Sequence, residues 1–222
     1  EGFRNFYRRR WFAHSLVAIG SFLVLVFDLR KDKTMNKSFL LSACVYLMLA
    51  TSTFALKMGE DAPIFSAFDS NGKTWQSSSF LGKKYLLVYF YPAAMTGGCT
   101  KQACSYSEHK AEWESNEVEV VGISGDSPEN LKVFKKAESL NFTLLSDSKG
   151  KIAKAFGVPT SKGGRIERFI EGEKVTLERG VTTKRWTFLV SKKGKILYIN
   201  SRVNAAQDSR SLLTLFQEKS FH

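Results

Sequence analysis

Residues 85–91 read YLLVYFY, a run without a charge or a polar break. A strand that is apolar on both faces has to be covered on both faces, which is how parallel strands sit in layered α/β proteins. The chain then changes character. Pro92 ends the run, and Thr96, Gly97, Gly98 and Cys99 stand where a helix should begin, so the segment reads as buried strand, tight loop and helix.

The rest of the chain repeats that alternation. Residues 118–124 and 142–145 read as further strands, with a helix predicted from Cys99 past Trp113 and another from Ser127 through Leu131, Phe134 and Ala137. Ser127 suits the N-cap, and Pro128 suits the first helical turn. A short helix is expected over 151–156. Residues 159–183 form a long polar, glycine-containing stretch in which Arg165, Phe169, Val175 and Leu177 alternate only weakly, as in an inserted loop or extra hairpin. Residues 186–190 and 195–200 flank the turn Ser191-Lys192-Lys193-Gly194, a strong hairpin signal. A final helix over 207–217 carries Leu212, Leu213 and Phe216 on one face. Strand, helix, strand, helix, strand, hairpin and helix predict one α/β layered domain with right-handed crossovers.

Two apolar runs precede that domain, at 15–27 and 39–50. Both fall short of the roughly 18 to 20 residues of a membrane span. Residues 35–55 read better as a signal peptide: Met35 as a start, Lys37 as the charged n-region, and Thr53-Phe54-Ala55 as small residues before a cut. A retained short anchor, which would be the chain's link to a membrane, is the alternative. Residues 1–34 are read as an upstream extension, and Cys44 as a small residue of the signal. The domain then spans 56–222 and is expected to be exported, in a periplasm or similar lumen; a start at Met58 would leave it cytoplasmic.

The formal charge is +12, of which residues 1–34 carry +4 and Lys37 one more, leaving +7 on 56–222. Those charges are scattered among acids, with no basic block interleaved with aromatics, so specific nucleic-acid binding is not expected.

The chemistry centres on Cys99 and Cys104, open at first to three readings: reactive thiols, metal ligands, or small core residues. Cys99 falls at the C-terminal end of a central strand and in the first turn of a helix, where α/β folds place ligands. Free backbone amides and the helix dipole favour an anion there, so the thiolate is expected to be stabilised. Gly97 and Gly98 let amides approach, and Thr96 supplies a hydroxyl or caps the helix. Residues five apart on a helix are turned by about 140° and separated by about 8 to 9 Å. A disulfide between Cys99 and Cys104 therefore requires the first turns to unwind.

Pro92-x-x-x-Thr96-x-x-Cys99 resembles the active-site pattern of peroxiredoxins, and Gly98-Cys99-Thr100-Lys101-Gln102-Ala103-Cys104 resembles the subgroup called PrxQ or bacterioferritin comigratory protein. The likeness continues through residues 121–128 and 141–147 and covers nearly all of 58–222. It implies a thioredoxin-like fold, with a central mixed sheet flanked by helices, and a thiol peroxidase that needs no metal or other cofactor. By that resemblance Cys99 is the peroxidatic cysteine and Cys104 the resolving one. Thr96 becomes a hydrogen-bond partner of thiolate and peroxide, and Arg185 the arginine facing the sulfur, with Arg179 close enough in sequence to compete for that assignment. Pro92 shapes the loop, and His109 is taken as an exposed helical residue. A peroxide is the implied substrate and thioredoxin, or an exported thioredoxin-like dithiol protein, the implied reductant; a monomer is the simplest state. Two features depart from the pattern: Gly97 stands where the subgroup has proline, and 159–183 is longer than the family needs. The rival reading is a metal-binding or thiol-disulfide exchange protein on the same scaffold. Zinc normally takes four ligands, and protein disulfide exchange normally uses C-x-x-C, which this chain lacks.

Overall fold

The computed structural model of the protein describes residues 56–219. The signal peptide read at 35–55 and the extension at 1–34 lie outside the described residues. In chain order the elements are β1 (Ser66–Asp69), β2 (Thr74–Gln76), β3 (Tyr85–Phe90), α1 (Gly97–Glu108), α2 (Lys110–Ser115), β4 (Val118–Ser124), α3 (Pro128–Ala137), β5 (Thr143–Ser146), α4 (Lys151–Ala155), β6 (Thr160–Ile170), β7 (Glu173–Thr183), β8 (Trp186–Val190), β9 (Ile196–Asn200) and α5 (Asp208–Lys219).

The main sheet runs β2-β1-β5-β4-β3-β8-β9. Its centre, β5-β4-β3, is parallel, while β1 and β8 join antiparallel on either side. The all-apolar run 85–91 occupies the middle for the reason its sequence suggests. Leu87, Tyr89 and Tyr91 pack on one face with Ala103 and Tyr106 of α1, Phe134 of α3 and Leu212 of α5. Leu86, Val88 and Phe90 pack on the other with Ile152 and Ala153 of α4 and with Phe188. Ser127 caps α3 by accepting the Asn130 amide at 3.3 Å, with Pro128 at the first position.

Two expectations need correction, and one element was missed. The helix expected from Cys99 past Trp113 starts at Gly97 and is broken at His109, whose backbone (φ −95°, ψ 19°) leaves the helical region. The His109 ring is not simply exposed. Its Nδ1 lies 2.8 Å from the Ser105 carbonyl, which the His109 amide also reaches at 3.3 Å, and 3.2 Å from Ser209 Oγ. Trp113 in α2 then turns inward, is fully buried, and donates to the same Ser209 hydroxyl. The β1-β2 hairpin at the sheet edge is an element the sequence reading did not identify.

Residues 160–183 form a hairpin of two 11-residue strands, β6 and β7. Its turn is Glu171-Gly172, both with positive φ (52° and 84°), the backbone that a two-residue hairpin turn requires. Alternation looked weak because the faces are mixed, with Phe169 turned to solvent and Arg168 turned inward. Arg165, Glu167, Phe169, Lys174 and Glu178 face solvent, whereas Ile166, Arg168, Ile170, Val175 and Leu177 turn inward, with Leu177 1% exposed. The hairpin is tied to the body by Gly180 N–H donating to the Gly125 carbonyl at 2.9 Å, by Asn130 Nδ2 donating to the Glu178 carbonyl at 2.6 Å, and by a Lys136–Glu171 ion pair. Gly125 must be glycine here, because a Cβ on it would sit 2.0 Å from the Val181 carbonyl oxygen.

Candidate active site

The loop from Tyr91 to Thr96 is held at each of its backbone turns. Thr183 Oγ1 donates to the Tyr91 carbonyl at 2.8 Å, and the Ala94 amide donates to Asp126 Oδ2 at 2.9 Å. Asp126 is buried and also accepts from Ser124 Oγ at 2.8 Å. Burial pushes its carboxyl above the usual value, against the opposing pull of those two donors. Thr96 stands at the N-cap position in extended backbone, but its hydroxyl donates back to the Ala93 carbonyl at 2.9 Å rather than capping the helix end. Pro92 is half-buried and shapes this turn; Gly97 and Gly98 open the helix on its exposed side.

Cys99 lies in the first turn of α1, 2% exposed, with its sulfur turned into the protein. Arg185, in the two-residue link between β7 and β8, donates from Nη2 to Cys99 Sγ at 3.2 Å. Its Nη1 donates to Gln102 Oε1 at 2.6 Å. Gln102, one turn below Cys99, donates through Nε2 to Asp208 Oδ2 at 2.7 Å. That same oxygen accepts from Tyr106 and Thr187 at 2.6 and 2.7 Å. Burial, reinforced by Asp208, pushes the Tyr106 hydroxyl well above its usual value, so it remains a donor. Asp208 opens α5, where the helix dipole favours a carboxylate. The chain Cys99–Arg185–Gln102–Asp208 thus aims one guanidinium at the sulfur and orients it through a buried carboxylate. Arg179 has a different job, donating from Nε to Thr182 Oγ1 at 2.8 Å within the hairpin.

Cys104 is not part of that cluster. Both thiols are free; Cys104 is half-buried, with Sγ 3.9 Å from Glu138 Oε2 at the end of α3. Burial is the largest influence raising its pKa, followed by the charges of Glu138 and Glu108. An anion at the Cys99 sulfur meets a cation, while an anion at Cys104 meets carboxylates. Among the described residues no group of three or more His, Cys, Asp or Glu side chains is placed to hold a metal ion.

Comparison with known proteins identifies the chemistry this arrangement serves. Residues 58–199 match the AhpC/TSA family. The chain belongs to that family. A putative peroxiredoxin of Mycobacterium tuberculosis is 37% identical over 155 residues, 70% of this chain and 91% of that protein. The chloroplastic peroxiredoxin Q of Populus jackii is 47% identical over 108 residues, 49% of this chain and 50% of the poplar protein, so this chain spans about half of that relative. Among solved structures, peroxidoxin BcpB from Mycobacterium tuberculosis is 28% identical with a TM-score of 0.61, covering 74% of this chain and 98% of that one. These relatives place the chain with the peroxiredoxin Q and Bcp group of thiol-dependent peroxidases, and the α/β fold is thioredoxin-like.

Within this peroxiredoxin the structure brings together Cys99, Arg185 and the Thr96 loop, and it keeps Cys104 apart. Sequence reasoning missed Gln102 as a partner of Arg185, and missed Asp208 and Thr187 entirely. Gln102 was legible in part, since a polar residue three positions after Cys99 shares its helix face. Asp208 is 106 positions from Gln102, and nothing local marks it.

Proposed function

We propose that this peroxiredoxin reduces hydrogen peroxide and organic hydroperoxides in a two-cysteine cycle, with Cys99 as nucleophile and Cys104 as resolving thiol. The Cys99 thiolate attacks one peroxide oxygen; an S–O bond forms, the O–O bond breaks, and the other oxygen leaves and takes up a proton as water or an alcohol. Arg185 complements the charge on the sulfur and on the departing oxygen, the kind of preorganised electrostatic contact that carries most of such a rate enhancement. The Thr96 hydroxyl, which donates to the Ala93 carbonyl before peroxide enters, turns to the sulfur and the peroxide in this cycle, with the Pro92 turn and Gly97-Gly98 shaping the approach. The sulfenic acid on Cys99 then condenses with the Cys104 thiol to give a disulfide and water. A dithiol protein of thioredoxin type reduces that disulfide by thiol exchange.

The observation that carries this reading is the 3.2 Å contact of Arg185 Nη2 with a sulfur held in the first turn of α1. The opposite surroundings of Cys104 support the division of labour: it stays a thiol until Cys99 has been oxidised. Because the two cysteines lie on one helix, the cycle closes within one chain, and a monomer suffices.

The experiment is stopped-flow reaction of the reduced protein with hydrogen peroxide, followed by Trp fluorescence, beside Cys99→Ser and Cys104→Ser. One peroxide consumed per chain, lost in the first variant and halted at the sulfenic acid in the second, is the expected result. Reaction no faster than a free thiol would remove the reading. We also propose export through residues 35–55. Mass spectrometry of the native N-terminus tests this, and a chain beginning at Met58 would place it in the cytoplasm instead.

A further inference from the structure

The peroxide step and the disulfide step ask opposite things of α1. Cys99 meets Arg185, which Gln102 holds from the same helix, only while the first turn is wound, and Cys104 reaches Cys99 only when that turn is unwound. Whatever anchors the chain just ahead of α1 therefore shifts the balance between the two. The last anchor before the helix is on Met95. Its backbone sits at φ 57°, in the left-handed region that strains a non-glycine residue and persists only where neighbours enforce it. Its carbonyl accepts a hydrogen bond from Arg168 Nε at 2.8 Å.

Arg168 belongs to β6, on the inward face of the long hairpin, and its Nη1 is occupied by the Glu167 carbonyl at 2.8 Å. The hairpin does not depend on α1 for its own position. It is fixed to the β4-α3 side by Gly180 on Gly125, by Asn130 on Glu178 and by Lys136 on Glu171. It therefore acts as a strap with one end on α3 and Arg168 on the loop that leads into the nucleophile. The other ties of this loop, at Tyr91 and Ala94, lie further from the helix and come from residues of the body and the hairpin's base.

We propose that Arg168 is a positioning residue which, by holding the Met95 carbonyl, sets the partition between the wound helix that reacts with peroxide and the unwound helix that forms the Cys99–Cys104 disulfide. The inference rests on the two-cysteine cycle proposed above. It has a chemical consequence. A sulfenic acid held longer in the wound helix is open to a second peroxide, which adds one oxygen to give the sulfinic acid and releases water or an alcohol. Releasing the clasp speeds condensation, slows the first step and lowers sulfinic acid formation.

The test uses the full chain and compares wild type with Arg168→Ala and Arg168→Lys, with Lys174→Ala on the outer hairpin face as control. Stopped-flow fluorescence with hydrogen peroxide separates the two steps, and amide hydrogen exchange over residues 97–104 reads unwinding without any peroxide. For Arg168→Ala the expected result is condensation faster by about tenfold, the effect of losing one charge-assisted hydrogen bond from the wound state. Its peroxide rate constant should fall by a smaller factor, and exchange over 97–104 should quicken in step while amides of β3 and β4 keep their protection. Arg168→Lys, which keeps a donor, should fall between. Unchanged steps, both steps slowed together, or unaltered exchange at 97–104 would overturn the strap. A wild-type chain with no fast peroxide phase would instead overturn the peroxidase reading, and the exchange comparison would still decide whether Arg168 holds the loop.

Discussion

Cys99 and Cys104 share one helix and have opposite surroundings. Cys99 is 2% exposed and faces a guanidinium braced by Gln102 and Asp208. Cys104 is half-buried and faces the carboxylate of Glu138, with Glu108 also acting on it. The difference shows that helix position alone does not make a reactive thiol. Cys99 has the amides of the first turn and also a cation delivered from the β7-β8 link. Cys104 lies well inside α1, where every amide is already bonded, and its neighbours carry the wrong charge for a thiolate.

The largest break in that contrast comes from Cys99→Ser, which should remove the fast peroxide phase entirely and leave Cys104 no more reactive than an ordinary thiol. Stopped-flow mixing checks it, and a surviving fast phase would transfer the nucleophile's role to Cys104. Next is Arg185→Met, which keeps bulk and deletes both the charge and the donors. The second-order rate with peroxide should fall by about 10² to 10³-fold, as when one preorganised donor is lost at a developing anion. A loss below about threefold would mean the first turn of α1 suffices by itself.

Asp208→Asn sharpens the comparison more gently. The substitution turns an amide toward three donors that converge on one oxygen, so at least one buried group loses its partner at a cost of about 1 to 3 kcal/mol. Thermal melting should fall accordingly, and the peroxide rate should drop by about tenfold through a less well oriented Arg185. A lower melting temperature with an unchanged rate would show that Asp208 serves the fold alone.

The smallest effect is at the other cysteine. Glu138→Gln removes the leading charge that raises Cys104, leaving the larger cause, burial, in place. In a Cys99→Ser background, the pH midpoint of Cys104 alkylation should start above that of an ordinary thiol and move part of the way down in the variant. The sign follows from the raised folded value. Stability from the protonated thiol is whole below the unfolded thiol's pKa and is lost as pH rises through the folded one, so Glu138→Gln should weaken that alkaline loss. A midpoint that does not move would leave burial and the Glu108 charge as the causes.

Much of this was legible from the chain. The apolar run at 85–91 read as a covered central strand, the motif that follows it pointed to Thr96 and Cys99, and the family resemblance it carries pointed to Arg185. Arg179 was a rival on spacing alone, and only the structure, by tying it to Thr182, separates the two. The segment 159–183 was half legible: its length and glycines pointed to an inserted loop or extra hairpin, but its turn at Glu171-Gly172 was not singled out, and its inward face carries Arg168 among aliphatic residues and so blurred the alternation. The break at His109 was not legible: no glycine or proline marks it, and the Ser209 hydroxyl its ring meets lies 100 positions away.

By itself the sequence determined what local forces decide: the central strand, the capped start of α3, the turn at 191–194 of the β8-β9 hairpin, and a cysteine in the first turn of α1. These depend on side-chain period, turn chemistry and backbone preference over a few residues. Tertiary structure alone decided the charge each cysteine meets. Arg185, Asp208 and Glu138 come from three separate segments, and their placement follows from how the sheet and helices close on one another rather than from any pattern a short window contains.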